Sequence, residues 1–359
     1  MKHLPGMTLP ELRSFVEALG EPGYRAMQLF KGMHERRVES FEEFTDLPKL
    51  FREKLSGVSI LRTLRHASKH VSEDGTRRYL FDTAGGNPVE TVFIPTEKRD
   101  TICFSSQSGC ALKCDFCLTA KLGFLQNLTP GEIVEQIIFA LNDVYGPGTE
   151  TPHGTNLVAM GAGEPFNNYE NLLKAVSIMN EETGLFIVPG RITISTVGIV
   201  PRILEFSELK RRPNLAISLS APNDELRDRL MPVNKRWNID ELMSAAAVFQ
   251  KSLRRGERFT FEYVLLDDVN DSKEHAKQLA SVLRRYRLDR VKINLIPHNS
   301  AEALDYGAPS IERVEAFKLA LEAEGVSAYI RKPRGNDIFA ACGQLAAKQG
   351  KNPVKALTI

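Results

Sequence analysis

The chain has 359 residues, 42% of them hydrophobic and 26% charged, with a net charge of +2. That length allows one large domain plus a smaller one, and the composition is that of an ordinary globular protein. No apolar run approaches a membrane span, MKHLPGMTLPELRSF lacks the apolar core of a signal peptide, and the near-neutral charge does not announce nucleic acid. A reducing cytoplasm is the expected compartment.

The N-terminal stretch reads as helical. Thr8 and Glu11 stand at capping-box spacing, Leu12, Phe15, Val16 and Leu19 follow helical periodicity, and Gly20 suits the stop. A second helix is predicted over 24–37, carrying Met27, Phe30 and Met33, and one or two short helices over 40–56. Residues 1–60 are therefore expected to form a small helical domain. Residues 62–78 carry Arg62, Arg65, Lys69, Arg77 and Arg78, read equally as a solvated face or an RNA contact. Short β-rich runs fill 76–106, with turns at Gly85–Asn87 and Glu97–Asp100, so 61–99 reads as a β-rich connecting extension.

From residue 100 onward, strands and helices alternate. Strands are predicted at 101–105, 155–160, 191–196, 214–219, 259–265, 290–296 and 326–331, with helices at 129–144, 168–181, 239–254, 271–285 and 309–324 among those between. Thr129 and Glu132 form another capping box. Repeated β-α units imply parallel strands and right-handed crossovers. The expected fold class is α/β: an open, partial (β/α)6 barrel over 100–359, with reactive groups at the C-terminal ends of its strands.

Cys110, Cys114 and Cys117 form a CxxxCxxC run just after the first of these strands. Three thiolates can hold three irons of a [4Fe–4S] cube, which ordinarily takes four cysteines. The open iron can then chelate S-adenosylmethionine, which is the radical-SAM signature. Zinc prefers four ligands, often in paired CxxC units, and no second CxxC exists here. A disulfide does not suit a non-secreted chain with five cysteines, and three buried structural cysteines within eight residues would be poor use of core positions.

The two remaining cysteines are Cys103, ending the first barrel strand, and Cys342 near the C-terminus. Each reads either as a small buried hydrophobe or as half of a nucleophile and resolving-thiol pair meeting across the barrel mouth. Glu164, in the glycine-rich Gly161-Ala162-Gly163-Glu164-Pro165 loop, is a solvent turn residue or a carboxylate for an ammonium group. Glu90 alternates with apolar residues on a strand, so it faces solvent or is a buried carboxyl of raised pKa near the site.

Nearly end to end, the chain resembles the RlmN family of adenine-C2 methyltransferases of ribosomal and transfer RNA. The segments that carry this are GEPGYRAMQLFKGMH, PVETVFIP, CFSSQSGCALKCDFC, GFLQNLTPGEIVEQ, NLVAMGAGEPFNNYENLLKA, RITISTVGIVPRI, LAISLSAPNDELRDRLMPVNKRW, FTFEYVLLDDVNDS, KINLIPHNS and RKPRGNDIFAACGQLA. The resemblance implies a [4Fe–4S] cluster on Cys110, Cys114 and Cys117 and two S-adenosylmethionine molecules per turnover. Cys342 would take a methyl group from the first. A radical generated from the second would activate that methyl for addition to adenine C2, forming a covalent RNA–protein adduct. Cys103 would resolve the adduct through a disulfide with Cys342, and Glu90 matches the family's proton acceptor. Gly163, Glu164, Ser195, Ser218, Leu219, Ser220 and Asn299 match positions that contact S-adenosylmethionine. The implied partners are 23S rRNA near the peptidyl transferase centre, tRNA at the adenosine 3′ to the anticodon, and a reductant such as flavodoxin. The helical domain, with or without the basic 62–78 stretch, would grip RNA, and a monomer is expected.

The chain departs from the family's pattern at Leu118-Thr119-Ala120, where ATG is usual after Phe116-Cys117, and at Ala162, where methionine is usual. Ser220 and Asn336 replace a usual histidine and aspartate. C8 methylation of the same rRNA adenosine, as in the Cfr-type resistance enzymes, is the nearest alternative; Glu164-Pro165 and INLIPHN lean toward C2. A catalytically inactive iron–sulfur RNA-binding protein is another, and the intact Cys103, Cys342 and Glu90 argue against it.

Overall fold

In the computed structural model, which describes residues 1–299 and 304–340, both predicted capping boxes form. The Glu11 carboxylate accepts the Thr8 N–H at 2.8 Å, and Glu132 does the same for Thr129 at 2.8 Å. Each pair satisfies donors that a helix start otherwise leaves orphaned. The N-terminal unit contains β1 (Lys2–His3), α1 (Leu9–Ala18), α2 (Arg25–His34), α3 (Lys49–Val58) and β2 (Ser59–Ile60), with β1 and β2 parallel. Leu12, Val16, Leu29, Phe30, Met33, Phe51 and Leu55 supply its buried side.

The 62–78 stretch is a strand and a turn. β3 (Arg65–Val71) pairs antiparallel with β4 (Arg77–Asp82), and β4 with β5 (Pro88–Ile94). β5 then pairs antiparallel with β6 (Asp100–Cys103), the first barrel strand. A short hairpin of β7 (Gln107–Gly109) and β8 (Phe124–Asn127) follows, with α4 (Leu118–Lys121) in its loop.

The barrel continues through α5 (Pro130–Tyr145), β9 (Thr155–Ala159), α6 (Tyr169–Asn180), β10 (Ile192–Thr196), α7 (Val200–Glu208), β11 (Asn214–Ser218) and α8 (Asp224–Leu230). It closes its chain order with α9 (Ile239–Lys251), β12 (Phe259–Leu265), α10 (Lys273–Arg285), β13 (Lys292–Pro297), α11 (Ile311–Ala323) and β14 (Ala328–Ile330). Among the described residues these strands form one ten-stranded sheet in the order β14-β13-β12-β11-β10-β9-β6-β5-β4-β3. From β6 to β14 every pairing is parallel. Six β/α units and a final strand make the predicted open barrel, and the β extension prolongs its sheet at one edge. No helix among the described residues is long and apolar enough to cross a membrane.

One buried carboxylate fastens the helical unit to the barrel. Glu135 of α5 accepts the Thr63 and Leu64 N–H groups at 2.9 Å and the Thr63 hydroxyl at 3.0 Å, and pairs with His3. Arg37, just beyond α2, adds bonds to Asn142, Gly146 and Thr149. Glu135→Ala leaves two backbone donors and His3 unpartnered, so a loss of roughly 3 kcal/mol is expected. Urea denaturation reads the stability, and proteolysis at residues 61–64 reads the loosened junction. Wild-type values in both would show that other contacts hold the two units together.

Candidate active site

Residues paired across neighbouring strands share a face of a sheet, and the register fixes which side chains meet. Ile102, Leu157, Ile194, Leu215, Ile217, Phe261 and Ile293 occupy one face, fully buried in the main core. The opposite, inner face is polar. Val92 pairs with Cys103, Cys103 with Val158, Ser195 with Ala216, Ser218 with Glu262, and Glu262 with Asn294. Period-2 alternation adds Glu90, two residues before Val92. Glu90, Cys103, Ser195 and Ser218 therefore line the same face.

The cluster loop sits in the β7–β8 hairpin at one end of this face. Gly109 has φ +69°, and a Cβ there would come within 1.8 Å of the Gly123 carbonyl oxygen. Only glycine allows that approach, which lets the Cys110 N–H reach the Gly123 carbonyl at 2.9 Å and close the loop. The Cys117 N–H bonds to the Cys114 carbonyl at 3.2 Å, and the Asp115 N–H to the Leu230 carbonyl at 3.0 Å. Tyr306 bonds the Asp115 carboxylate at 2.6 Å.

Cys110 and Cys114 are buried and Cys117 is partly buried; Cys117 acts electrostatically on both, and Cys110 on Cys114. Burial pushes the Cys110 thiol up to about 12, with Glu164 and Cys117 adding to it; Cys114 is raised in the same way. Iron ligation would reverse that balance by deprotonating the thiols. No three His, Cys, Asp or Glu side chains among the described residues gather to hold one metal ion. Three thiols distributed round a closed loop instead fit a cube that offers each its own iron.

On the same inner face, and on a strand bonded to the cluster hairpin through the Ser108 hydroxyl and the Pro88 carbonyl at 2.6 Å, Glu90 is 2% exposed, so its alternation with apolar neighbours does not mean solvent. Arg78, across β4, donates to its carboxylate from Nε at 2.7 Å and also from Nη2. Burial raises the Glu90 pKa and Arg78 pulls it back, with the net shift upward. Ser105 Oγ donates to the Glu90 carbonyl at 2.6 Å and accepts the Ala162 N–H at 2.9 Å, joining Glu90 to the Gly161–Pro165 loop.

Cys103 is buried in a cluster with Val92 and Ala340. The segment after β14 thus returns to the barrel mouth. Asp337 accepts from Ser72 at 2.6 Å, Asp74 accepts the Gly335 N–H at 3.2 Å, and Arg78 donates to the Ile338 carbonyl at 3.1 Å. Cys342 lies outside the described residues, two positions beyond Ala340.

The other candidate positions divide by exposure. Gly163 has φ +104° and approaches Gln107 so closely that a Cβ would sit 2.5 Å from its Cβ. Glu164 is buried and accepts from Thr196 Oγ1 at 2.7 Å and from the Val197 and Phe166 N–H groups at 2.9 Å. Burial raises it to about 7 against those bonds. It braces the end of β10 and lies within electrostatic reach of Cys110 and Cys114. Ser195 and Ser218 are half-buried on the inner face. Leu219 belongs to the core, and Ser220 is fully buried with its hydroxyl accepting the Val264 N–H at 3.3 Å. Asn299 is half-buried two residues after β13.

The sequence singled out neither Arg227 nor Glu262. Arg227 is fully buried behind the strand ends, and Glu262 is buried on the inner face between Thr260 and Asn294, each donating to it. No local pattern marks a charged residue whose partners come from other strands. The basic 62–78 residues are occupied within the chain. Arg62 donates to the Leu61 and Val38 carbonyls, Arg65 pairs with Asp82, Lys69 and Arg77 with Asp143, and Arg78 with Glu90.

Residues 2–61 match the family described as the ribosomal RNA large subunit methyltransferase N-terminal domain, and residues 104–280 match the radical SAM superfamily. The chain is 46% identical to a probable dual-specificity RNA methyltransferase RlmN of Koribacter versatilis, over 92% of this chain and 97% of the relative. It is 44% identical to the dual-specificity RNA methyltransferase RlmN of Anaeromyxobacter sp., over 97% and 91%. A crystal structure of a radical SAM methyltransferase from Sphaerobacter thermophilus superposes with a TM-score of 0.91 at 41% identity, covering 96% of this chain and 99% of that one. With the three-cysteine loop, the open barrel and the helical unit in place, the chain belongs to the RlmN family of radical SAM RNA methyltransferases.

Proposed function

We propose that the protein methylates C2 of an adenosine in 23S rRNA, in the peptidyl transferase region, and the adenosine 3′ to the tRNA anticodon. The observation that carries this is the pole of the inner face where Glu90 and Cys103 meet the returning segment at Ala340. Cys110, Cys114 and Cys117 would hold a [4Fe–4S] cluster, which when bound would supply the electron for cleavage of S-adenosylmethionine. The half-buried Ser195, Ser218 and Asn299, with Gly163 and Glu164, would hold that cofactor; Leu219 and Ser220, whose carbonyls are already bonded by Arg227 and Asn270, would shape the strand end beside it. Cys342 carries the methyl group as S-methylcysteine and becomes linked through it to the RNA. Glu90 accepts the proton lost from the modified carbon. Cys103 then attacks the Cys342 sulfur, which frees the RNA and leaves a disulfide for a cellular reductant. A donor such as flavodoxin would serve as the reductant, and the chain would work as a monomer. The helical unit, fastened by Glu135, is the candidate RNA grip, with or without the basic 62–78 stretch, whose Arg65 stays largely exposed beside Asp82.

Anaerobic incubation with a rebuilt cluster, S-adenosylmethionine, a reductant and unmodified 23S rRNA fragment or tRNA tests the reading. Nucleoside mass spectrometry is expected to show 2-methyladenosine, and the RNA that yields it identifies the substrate. 8-Methyladenosine would assign the chain to Cfr-type chemistry. Neither product, with a sound cluster present, would mean that catalysis has been lost.

A further inference from the structure

Arg227 is fully buried, yet no carboxylate bonds its guanidinium. Its acceptors are the carbonyls of Val197 at 2.6 Å, Ser218 at 3.2 Å and Leu219 at 3.2 Å, and the amide oxygen of Asn234 at 2.9 Å. Asn234 in turn donates to Asp224 and Asp228, which keeps both acids one side chain away. Burying a cation among neutral acceptors is costly unless an anion stands near. Cys114 lies within electrostatic reach of the guanidinium, as do Asp224 and Asp228. α8, which carries Arg227, also grips the cluster loop directly through the Asp115 N–H and the Leu230 carbonyl at 3.0 Å.

A cube held by three thiolates is an anion and becomes more anionic when reduced. We propose that Arg227 is a built-in counter-cation for that cluster, a positioning residue that makes the cluster easier to reduce while its guanidinium fixes the strand ends at Val197, Ser218 and Leu219. The charge and the geometry thus reside in one side chain. The inference rests on the cluster reading of Cys110, Cys114 and Cys117, and on no assumption about RNA.

Redox titration of the full-length protein with a rebuilt cluster tests it. Dithionite serves as reductant, and the signal followed is the paramagnetic resonance of the reduced cluster, without RNA or S-adenosylmethionine. Arg227→Gln, which removes the charge but keeps hydrogen-bond donors, is expected to disfavour reduction about tenfold or more, about 59 mV for one electron. Arg227→Lys keeps the charge and should stay near wild type. A folded Gln variant with the wild-type potential overturns the proposal. If Gln fails to fold, Arg227→Met serves as the neutral variant. If neither neutral variant assembles a cluster while Lys does, the cation is needed for assembly, which supports the proposal. Failure of Lys alike reduces Arg227 to a structural residue and overturns it. A wild-type protein lacking the reduced-cluster signal would instead overturn the cluster reading itself.

Discussion

Cys103→Ala, incubated with substrate RNA under turnover conditions, is expected to accumulate a covalent protein–RNA species. A denaturing gel should show a slow band that ribonuclease removes, with yield approaching one RNA per cluster-loaded protein, while free methylated product falls sharply. The reason is positional. Cys103 closes β6 on the inner face, packs against Val92 and Ala340, and shares that face with Glu90. No other described cysteine lies in that cluster. Without its thiol, no other described cysteine of that cluster could attack the Cys342 sulfur, so the proposed adduct should persist. Cys342→Ala should give neither band nor product, with the cluster absorption unchanged. Recovery of only free protein and normal product from Cys103→Ala would remove the resolving role from Cys103.

Arg78→Met is expected to change both stability and pH dependence. Arg78 pairs with Glu90 and donates to the Ile338 carbonyl. Glu90 already has a pKa above the usual carboxyl value because burial outweighs Arg78, and loss of the cation raises it further. A carboxyl whose folded pKa is raised favours folding below its unfolded pKa and loses that contribution as pH rises through the folded value. The variant should therefore be destabilised by about 3 kcal/mol near neutrality, where a buried carboxylate would stand unpaired, and recover as pH falls. Only the ionised carboxylate can accept a proton, so the acid limb of the methylation rate should move to higher pH. Activity at neutrality should fall about 100-fold. Urea titrations at two pH values and a pH–rate profile check this. A profile that does not move would separate Glu90 from the proton transfer.

The long-range design of the barrel was legible in the chain because its parallel strands bury one face entirely. Runs such as LVA, ITIST and LAIS stand out as apolar or β-branched stretches between capped helices. The alternation also placed Ser195 and Ser218 at strand ends facing the mouth. The β7–β8 hairpin was not legible: QSG and FLQN are too short and too polar to show a period. β3, as the exposed edge strand RHASKHV, looked like a charge run because its neighbours, not its own pattern, make it a strand. Glu90 was ambiguous for a related reason. Alternation says that it opposes the core, but only the packing of Arg78 and the returning 335–340 segment shows that this face is covered. Arg227 was invisible because its acceptors lie on two other loops.

The anchoring of the returning segment by Asp337, Gly335 and Ile338 also has a kinetic meaning. All three holds are made to Ser72, Asp74 and Arg78, on the β3–β4 hairpin and not on a barrel helix. The described chain is thus pinned at Ala340, two positions before Cys342 in sequence, beside Cys103, the thiol proposed to pair with it. Thiol capture across so short a tether is intramolecular, at an effective concentration on the order of millimolar or above. On the proposed pairing, Cys103 would outrun free thiols by proximity, and lengthening the chain between Ala340 and Cys342 would remove that advantage.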